Sequence, residues 1–249
     1  MDKKIFLKIF YIITSAPIAV LSICLLFTNK QIRLGYYQAK RRLVTLPNSV
    51  KTGNLVTMLV CAEDRRFYSH LGFDPIAIIR AIYRVLRDGK LEGASTIEQQ
   101  YVRTCTARYE ISISRKVVEI AISFLLSITT SKNKIAHSYL AHAHYGHSIV
   151  GSEEAARILK KSCILKHYMC EPAAIVALLK YPMPKVITKS WSKKLEQRLS
   201  HINRKFKIRT FEPLAHQSTK YENADSFECS CSNGSWLPEY QYFQQSNYN

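Results

Sequence analysis

The sequence predicts a mainly α-helical protein with one N-terminal segment that could span a membrane. Residues 9–28 form an uncharged run about as long as the core of a bilayer. Between about Val50 and Lys207, apolar residues recur at helical spacing behind recognisable helix starts, and β-like alternation is scarce. These observations favour a helical domain attached to a membrane anchor.

The apolar run, IFYIITSAPIAVLSICLLFT, has two interpretations. A cleaved signal peptide is the alternative, but the run is long for its apolar region and no A-x-A-like cleavage site follows. We therefore favour an uncleaved anchor. Its orientation stays open, because lysines and arginines flank both ends, and long domains are translocated largely regardless of their charge.

Charge divides the rest of the chain. The 249 residues include 36 Lys and Arg against 18 Asp and Glu, an excess that predicts an anionic partner such as nucleic acid, a phosphate-bearing substrate or a membrane surface. We expect a membrane anchor over 1–29, a basic juxtamembrane connector over 30–50, the helical domain over 51–209 and a polar, acidic, loosely ordered tail over 210–249.

The seven cysteines lack the paired C-x-x-C spacing of a zinc site. Cys61 and Cys105 lie in apolar or helical surroundings that are typical of buried free thiols. Two pairings stay open in an oxidising compartment, Cys163 with Cys170 and Cys229 with Cys231.

Several helix starts are visible. Asp74 and Pro75 predict a capped start, and Gly89 an end, for one helix. Ser95 and Glu98 have the spacing of a capping box, and Ser114 precedes the apolar run RKVVEIAISFLLSI. Two further helical stretches are expected, around 135–143 and over 152–160, and they lead to EPAAIVALLKYPMP, which ends at a pair of prolines.

The first chemically suggestive stretch is CAEDRRFYSH. On a helix, Glu63, Phe67 and His70 would share one face, and Phe67 would place Glu63 against an apolar wall. A carboxyl group in such a setting is suited to proton transfer. The alternative is a surface helix whose acids pair with the neighbouring arginines.

The second stretch, GASTIEQQ, combines a glycine turn with hydroxyls and amides at the mouth of a helix. These groups could hold sugar or phosphate oxygens, although ordinary capping by Ser95 and Glu98 would explain much of the pattern. In the third, SRKVVE, Arg115 and Lys116 occupy a first helical turn, where the helix dipole disfavours cations. This placement predicts an anion site, with a solvated charge cluster as the alternative.

In this order the three stretches resemble motifs of the peptidoglycan glycosyltransferases of glycosyltransferase family 51, in particular the monofunctional enzymes with one anchor. The pattern E-D-x-x-F-x-x-H-x-G is matched by Glu63, Asp64, Phe67, His70 and Gly72. The chain keeps Gly93, Ser95, Thr96, Ile97, Gln99 and Gln100 of G-G-S-T-I-T-Q-Q, and Arg115, Lys116 and Glu119 of R-K-x-x-E. Weaker matches are KIAHSYLAHAHYG and Arg198, at the place of the closing arginine.

The resemblance implies a lysozyme-like helical fold on the outer, periplasmic face of the cytoplasmic membrane. It implies polymerisation of lipid II with inversion and release of undecaprenyl pyrophosphate. Glu63 would be the general base, and Glu119 with Arg103, Arg115, Lys116 and Arg198 would stabilise the leaving pyrophosphate, with or without Mg²⁺. Residues expected to bind or position substrate are Asp64, Phe67, His70, Gly72, Ser95, Thr96, Gln99 and Gln100. No metal ligand is assigned beyond the option that Glu119 holds a metal bridging to phosphate.

The expected partners are lipid II, the growing glycan strand, the membrane, and transpeptidases or other wall-synthesis proteins. Nucleic acid is not expected, because no recognised nucleic-acid motif is present. The chain departs from the family at Ala94, Glu98, Ile111 and Ala141, so a relative that binds lipid II as a scaffold is the alternative. Glycan cleavage by a lysozyme-like fold would explain neither the cations nor the anchor.

Overall fold

The computed structural model describes residues 3–44, 50–89, 93–161 and 171–211. Within these ranges the chain forms ten α-helices and one two-stranded antiparallel hairpin, which confirms the predicted mainly α fold. In chain order the elements are α1 (Lys3–Thr28), α2 (Lys30–Arg41), α3 (Val50–Glu63), α4 (Pro75–Asp88), α5 (Ile97–Thr106), α6 (Ile113–Thr129), α7 (Lys132–His142), β1 (His144–Gly146), β2 (Ile149–Val150), α8 (Ser152–Lys161), α9 (Glu171–Lys180) and α10 (Lys189–Phe211).

Helix α1 contains the predicted anchor. Its segment Ile9–Thr28 has a mean hydropathy of 2.3 and is long and apolar enough to cross a membrane. The helix lies against α6, and its buried positions include Tyr11, Ser15 and Ser22. Large apolar side chains elsewhere on α1 are exposed, as a lipid-facing surface requires.

Helix α2 belongs to the packed body, although its sequence suggested a connector. The Asn29 side chain caps it by accepting hydrogen bonds from the backbone N–H groups of its first turn. Ile32 and Ala39 are buried against α5 and α6, and the hydroxyl of Tyr101 donates to the Ala39 carbonyl at 2.7 Å. A β-carbon on Gly35 would lie 2.7 Å from a methyl of Ile122, so the helices approach closely.

The core is built around α5, which packs on α2, α6 and α7, while α3 packs on α9 and α10. The buried side chains of this core include Leu59, Tyr101, Ile122, Leu126 and Leu140. Burial of these apolar surfaces is the main favourable contribution to folding. The packing brings the C-terminal end of α3 and the N-terminal ends of α5 and α6 to one region of the fold.

Helix α4 has the predicted ends. The Asp74 side chain accepts from the backbone N–H of Ala77 at 3.1 Å, and Pro75 occupies the first turn. Gly89 ends the helix in the left-handed region, with φ of 64°. Both predictions are confirmed.

The predicted starts of α5 and α6 are wrong by a residue or two. Thr96, not Ser95, caps α5, and its hydroxyl accepts from the backbone N–H of Gln99 at 3.3 Å. Ser112, not Ser114, caps α6 by accepting from the backbone N–H of Arg115. In each case a second hydroxyl lies within two residues of the cap, and sequence spacing does not distinguish the two.

Helices α7 and α8 agree with the expectations around 135–143 and over 152–160, and α9 occupies the first ten residues of the apolar stretch that follows. The hairpin of β1 and β2 was not predicted, since its strands are three and two residues long. Cys61 and Cys105 are buried free thiols, as expected. The two cysteine pairings that the sequence left open, Cys163 with Cys170 and Cys229 with Cys231, lie outside the described residues. Residues 212–249, which make up most of the expected tail, lie outside them too.

Candidate active site

The first motif is not one helix. Helix α3 ends at Glu63, and the chain then turns, with the backbone N–H of Phe67 donating to the Asp64 carbonyl at 3.0 Å. The predicted shared face of Glu63, Phe67 and His70 is therefore wrong. Phe67 and His70 point into the protein and are buried, whereas the Glu63 side chain keeps 18% of its surface exposed.

Glu63 is held at the end of α3 by residues from two other helices. Arg198 of α10 forms an ion pair with its Oε1 atom and also donates to the Ala62 carbonyl at 3.3 Å. The amide nitrogen of Gln100, on α5, lies 3.4 Å from Oε2. The carboxylate is thus oriented by donors and is still accessible to solvent.

Asp64 and His70 form a buried pair below this carboxylate. The Nε2 atom of His70 lies 3.0 Å from Oδ2 of Asp64. The same oxygen accepts from the backbone N–H of Ile97 at 3.2 Å, at the start of α5. Both side chains contact protein groups, so the structure gives them a supporting position that fixes the first motif to the second.

Gly72 connects the same two motifs. Its carbonyl accepts from the Thr96 hydroxyl at 3.0 Å and from the Gln99 amide at 3.1 Å. The glycine has φ of +73°, and a β-carbon there would lie 2.4 Å from the Ser123 carbonyl oxygen. Only glycine meets both requirements without displacing α6.

A cluster of three cations surrounds Glu119, whose side chain is only 3% exposed. Its carboxylate accepts from Nε of Arg103 at 2.8 Å, from Nη1 of Arg115 at 3.1 Å and from Nζ of Lys116 at 3.1 Å. One negative charge therefore holds three positive charges. Burial lowers the pKa of Lys116, and the attraction of Glu119 opposes that effect.

Ser95 joins this cluster instead of capping α5. Its hydroxyl lies 3.0 Å from Nζ of Lys116 and 3.5 Å from Nη2 of Arg103. The Lys116 ammonium also donates to Oε1 of Gln99 at 2.5 Å. The second and third motifs thus form one polar surface with excess positive charge, as expected of an anion site.

Glu98 has no part in a capping box. Its side chain is fully buried, where it forms an ion pair with Lys132 and accepts from the Ser127 hydroxyl at 3.2 Å. The Lys132 ammonium also lies 4.9 Å from the centre of the Phe67 ring. The extra acid is therefore neutralised inside the fold and adds no charge to the Glu119 cluster.

Ligand atoms of Asp64, His70 and Glu98 lie within 4.8 Å of one another and could together hold a metal ion. Lys132 already neutralises Glu98, and Asp64 already accepts two hydrogen bonds. No metal is therefore needed to neutralise Glu98, and among the described residues Oε2 of Glu98 and Nδ1 of His70 have no hydrogen-bond partner.

The structure separates Arg198 from the predicted pyrophosphate site, because its guanidinium lies on Glu63 and not on Glu119. It also adds Tyr139, whose hydroxyl donates to Oε1 of Gln100 at 2.6 Å. This tyrosine lies within the weak match KIAHSYLAHAHYG, and that match is the sequence signal that could have identified it as a site residue. Ile111, where many family members have arginine, is fully exposed beside α6.

Comparison with known proteins identifies the family of the chain. The model of the transglycosylase family matches residues 29–207. A biosynthetic peptidoglycan transglycosylase of Haemophilus influenzae (strain PittEE) is 36% identical over 148 residues, which cover 59% of this chain and 61% of that protein. Penicillin-binding protein 1A of Rickettsia typhi is 33% identical over 174 residues, 68% of this chain and 22% of that protein.

Penicillin-binding protein 1F of Bacillus subtilis (strain 168) is 33% identical over 124 residues, 49% of this chain and 17% of that protein. The chain thus spans about a fifth of the length of these penicillin-binding proteins. The family match also includes α2, which the structure packs into the domain. The chain belongs to the transglycosylase family, and its fold is the lysozyme-like helical one that the resemblance implied.

Proposed function

We propose that the protein polymerises lipid II into glycan strands with inversion, releasing undecaprenyl pyrophosphate. The observation that carries this proposal is the position of two adjacent residues of α5. Gln100 contacts the Glu63 carboxylate, and Gln99 contacts Lys116 of the cation cluster. One helix, α5, therefore contacts both the Glu63 carboxylate at the end of α3 and Lys116 of the cation cluster on α6.

In the proposed reaction, the Glu63 carboxylate accepts the proton of the acceptor sugar's 4-hydroxyl. The resulting oxygen nucleophile attacks the anomeric carbon of the donor, whose bond to the pyrophosphate oxygen breaks. Negative charge then develops on the pyrophosphate, where Arg103, Arg115 and Lys116 can stabilise it by charge-assisted hydrogen bonds. Arg198 orients the base.

Glu119 does not fit a protein-held Mg²⁺ among the described residues. Both of its oxygens already accept from Arg115, and Arg103 and Lys116 take one each. Mg²⁺ prefers carboxylate and water oxygens in octahedral geometry, which three surrounding cations oppose. We therefore assign no step to a metal, and a divalent cation stays a proposal that polymerisation with and without EDTA would test.

The proposed location is the periplasmic face of the cytoplasmic membrane, with α1 as a single-pass anchor. The apolar segment Ile9–Thr28 supports the anchor. We propose transpeptidases and other wall-synthesis proteins as partners. This proposal is supported by the names of the relatives, which include penicillin-binding proteins. A scaffold that binds lipid II with little turnover is the second candidate, and exposed Ile111 favours it because the arginine common in the family is missing there.

The test is glycan-strand formation from labelled lipid II by the detergent-solubilised protein, measured beside Glu63→Gln. We expect polymer from the wild type and none from the variant, with lipid II binding retained in both. Glu154→Gln, which removes a surface carboxylate on α8, is the matched control and should polymerise normally. Turnover by Glu63→Gln would remove Glu63 from the base role, and binding without polymer in the wild type would favour the scaffold.

A further inference from the structure

The Oε2 atom of Glu63 lies at the end of a chain of hydrogen bonds that crosses three helices. The hydroxyl of Tyr139, on α7, donates to Oε1 of Gln100 at 2.6 Å. The Nε2 atom of the same amide, on α5, lies 3.4 Å from Oε2 of Glu63. We propose that Tyr139 is a positioning residue, which acts through Gln100 to aim Oε2 of Glu63 at the acceptor hydroxyl.

This inference rests on the proposed function, in which Glu63 is the base. It differs from the expectation that Gln100 positions sugars, because the amide has a protein partner on each side. A carboxylate can only accept hydrogen bonds, and a tyrosine hydroxyl can donate one. The amide of Gln100 therefore has one orientation that satisfies both neighbours, with its oxygen toward Tyr139 and its nitrogen toward Glu63.

Tyr139 is suited to lock that orientation. Its side chain is buried, with 5% of its surface exposed. Burial raises the pKa of Tyr139, and the negative charge of Glu63 raises it further, so the hydroxyl keeps its proton at neutral pH. Without this donor, the amide oxygen of Gln100 would lose its hydrogen bond, and the long contact with Glu63 alone would orient the amide.

The two oxygens of Glu63 differ in how firmly they are held. Oε1 is ion-paired with Arg198, which is 9% exposed. Oε2 has the longer contact with Gln100, at 3.4 Å. An oxygen that must accept a proton needs a lone pair directed at the substrate, so the structure assigns proton transfer to Oε2 and anchoring to Oε1.

The experiment compares Tyr139→Phe with Tyr145→Phe in the 249-residue chain. Tyr145 is also buried, and its hydroxyl donates to the Leu140 carbonyl at 3.0 Å, not to Gln100 or Glu63. Each variant loses one buried hydroxyl. We expect Tyr139→Phe to lower kcat for labelled lipid II about tenfold, with KM and Tm close to those of Tyr145→Phe, whose kcat should equal that of the wild type.

The variant Gln100→Leu tests whether Tyr139 acts through the side-chain amide of Gln100. If Tyr139 works through Gln100, adding Tyr139→Phe to Gln100→Leu should lower kcat no further. The proposed positioning of Glu63 by Tyr139 through Gln100 is overturned by an unchanged kcat in Tyr139→Phe or by an equal loss in Tyr145→Phe. Additive losses in the double variant would overturn it as well. Should Tyr139→Phe unfold, an unchanged kcat in Gln100→Leu overturns it.

The wild-type assay separates the two levels of inference. Polymer from the wild type, with no effect of Tyr139→Phe, refutes the positioning role of Tyr139 and leaves the proposed function in place. A folded wild type that binds lipid II without polymerising it refutes the proposed function and the positioning role together.

Discussion

The Nζ atom of Lys116 lies 3.0 Å from Oγ of Ser95, which joins the N-terminal turn of α6 to the loop before α5. Twenty-one residues separate them in the chain. Lys116, Arg103 and Arg115 enclose Glu119, and Lys116 connects this cluster of the third motif to the hydroxyl of the second. This arrangement joins two short motifs into one surface with excess positive charge.

Replacing Arg115 and Lys116 together by alanine should weaken the binding of a pyrophosphate-bearing lipid about ten- to a hundredfold, because two charge-assisted hydrogen bonds are lost. Binding would be measured by titration with undecaprenyl pyrophosphate in detergent. Arg157→Ala with Lys160→Ala on α8 removes the same charge elsewhere and should have little effect. Equal affinities in the two double variants would show that the cations around Glu119 do not bind the pyrophosphate.

Glu98 and Lys132 should contribute to stability as a coupled pair. Lys132→Met leaves the fully buried carboxylate of Glu98 without its cation, which should cost about 3 kcal/mol. Glu98→Thr in that background restores the family's residue and should recover most of the loss. Denaturant unfolding of the single and double variants measures both values, and additive losses would argue against the coupling.

Gly72 and Gly89 offer a matched comparison. Both have positive φ, at 73° and 64°, so alanine at either should cost about 1 kcal/mol of backbone strain. A β-carbon at Gly72 also meets the Ser123 carbonyl, whereas one at Gly89 meets nothing within 4 Å. We expect Gly72→Ala to cost about 2 kcal/mol more than Gly89→Ala in unfolding free energy. Equal costs would show that α6 yields easily at this contact.

Asp74 should make stability depend on pH. Burial raises the pKa of Asp74, but hydrogen bonds from Arg66 and from the Ala77 N–H lower it by more, so the net pKa lies below its usual range. The carboxylate also accepts from the Tyr11 hydroxyl at 3.0 Å, which ties α4 to the anchor helix. Because the folded pKa is lowered, this stabilisation is present above the unfolded pKa of about 3.9 and is lost as pH falls through the folded value.

Asp74→Asn keeps an N-cap side chain and removes the charge. The wild type should therefore be about 1–3 kcal/mol more stable than Asp74→Asn at pH 7, and the difference should shrink as the pH falls below the unfolded pKa of about 3.9. Melting temperatures of the two proteins across this range measure it. A difference that does not change with pH would assign the effect to shape and not to charge.

Local patterns predicted much of the secondary structure. The start of α4 at Asp74 and its end at Gly89 depend on contacts within a few residues, so the sequence sufficed there. The starts of α5 and α6 were misplaced because adjacent hydroxyls compete for the cap. The turn after Glu63 was missed because the burial of Phe67 and His70 in the core outweighs helical continuation.

The sequence by itself determined the helical class, the apolar segment and the short motifs that identify the family, since these depend on composition and spacing along the chain. Tertiary packing decided what those motifs contact. Glu63 pairs with Arg198 across 135 residues, and Glu98 turns inward to Lys132 across 34. Such contacts depend on which helix faces meet, and hydrophobic burial over the whole domain sets that arrangement.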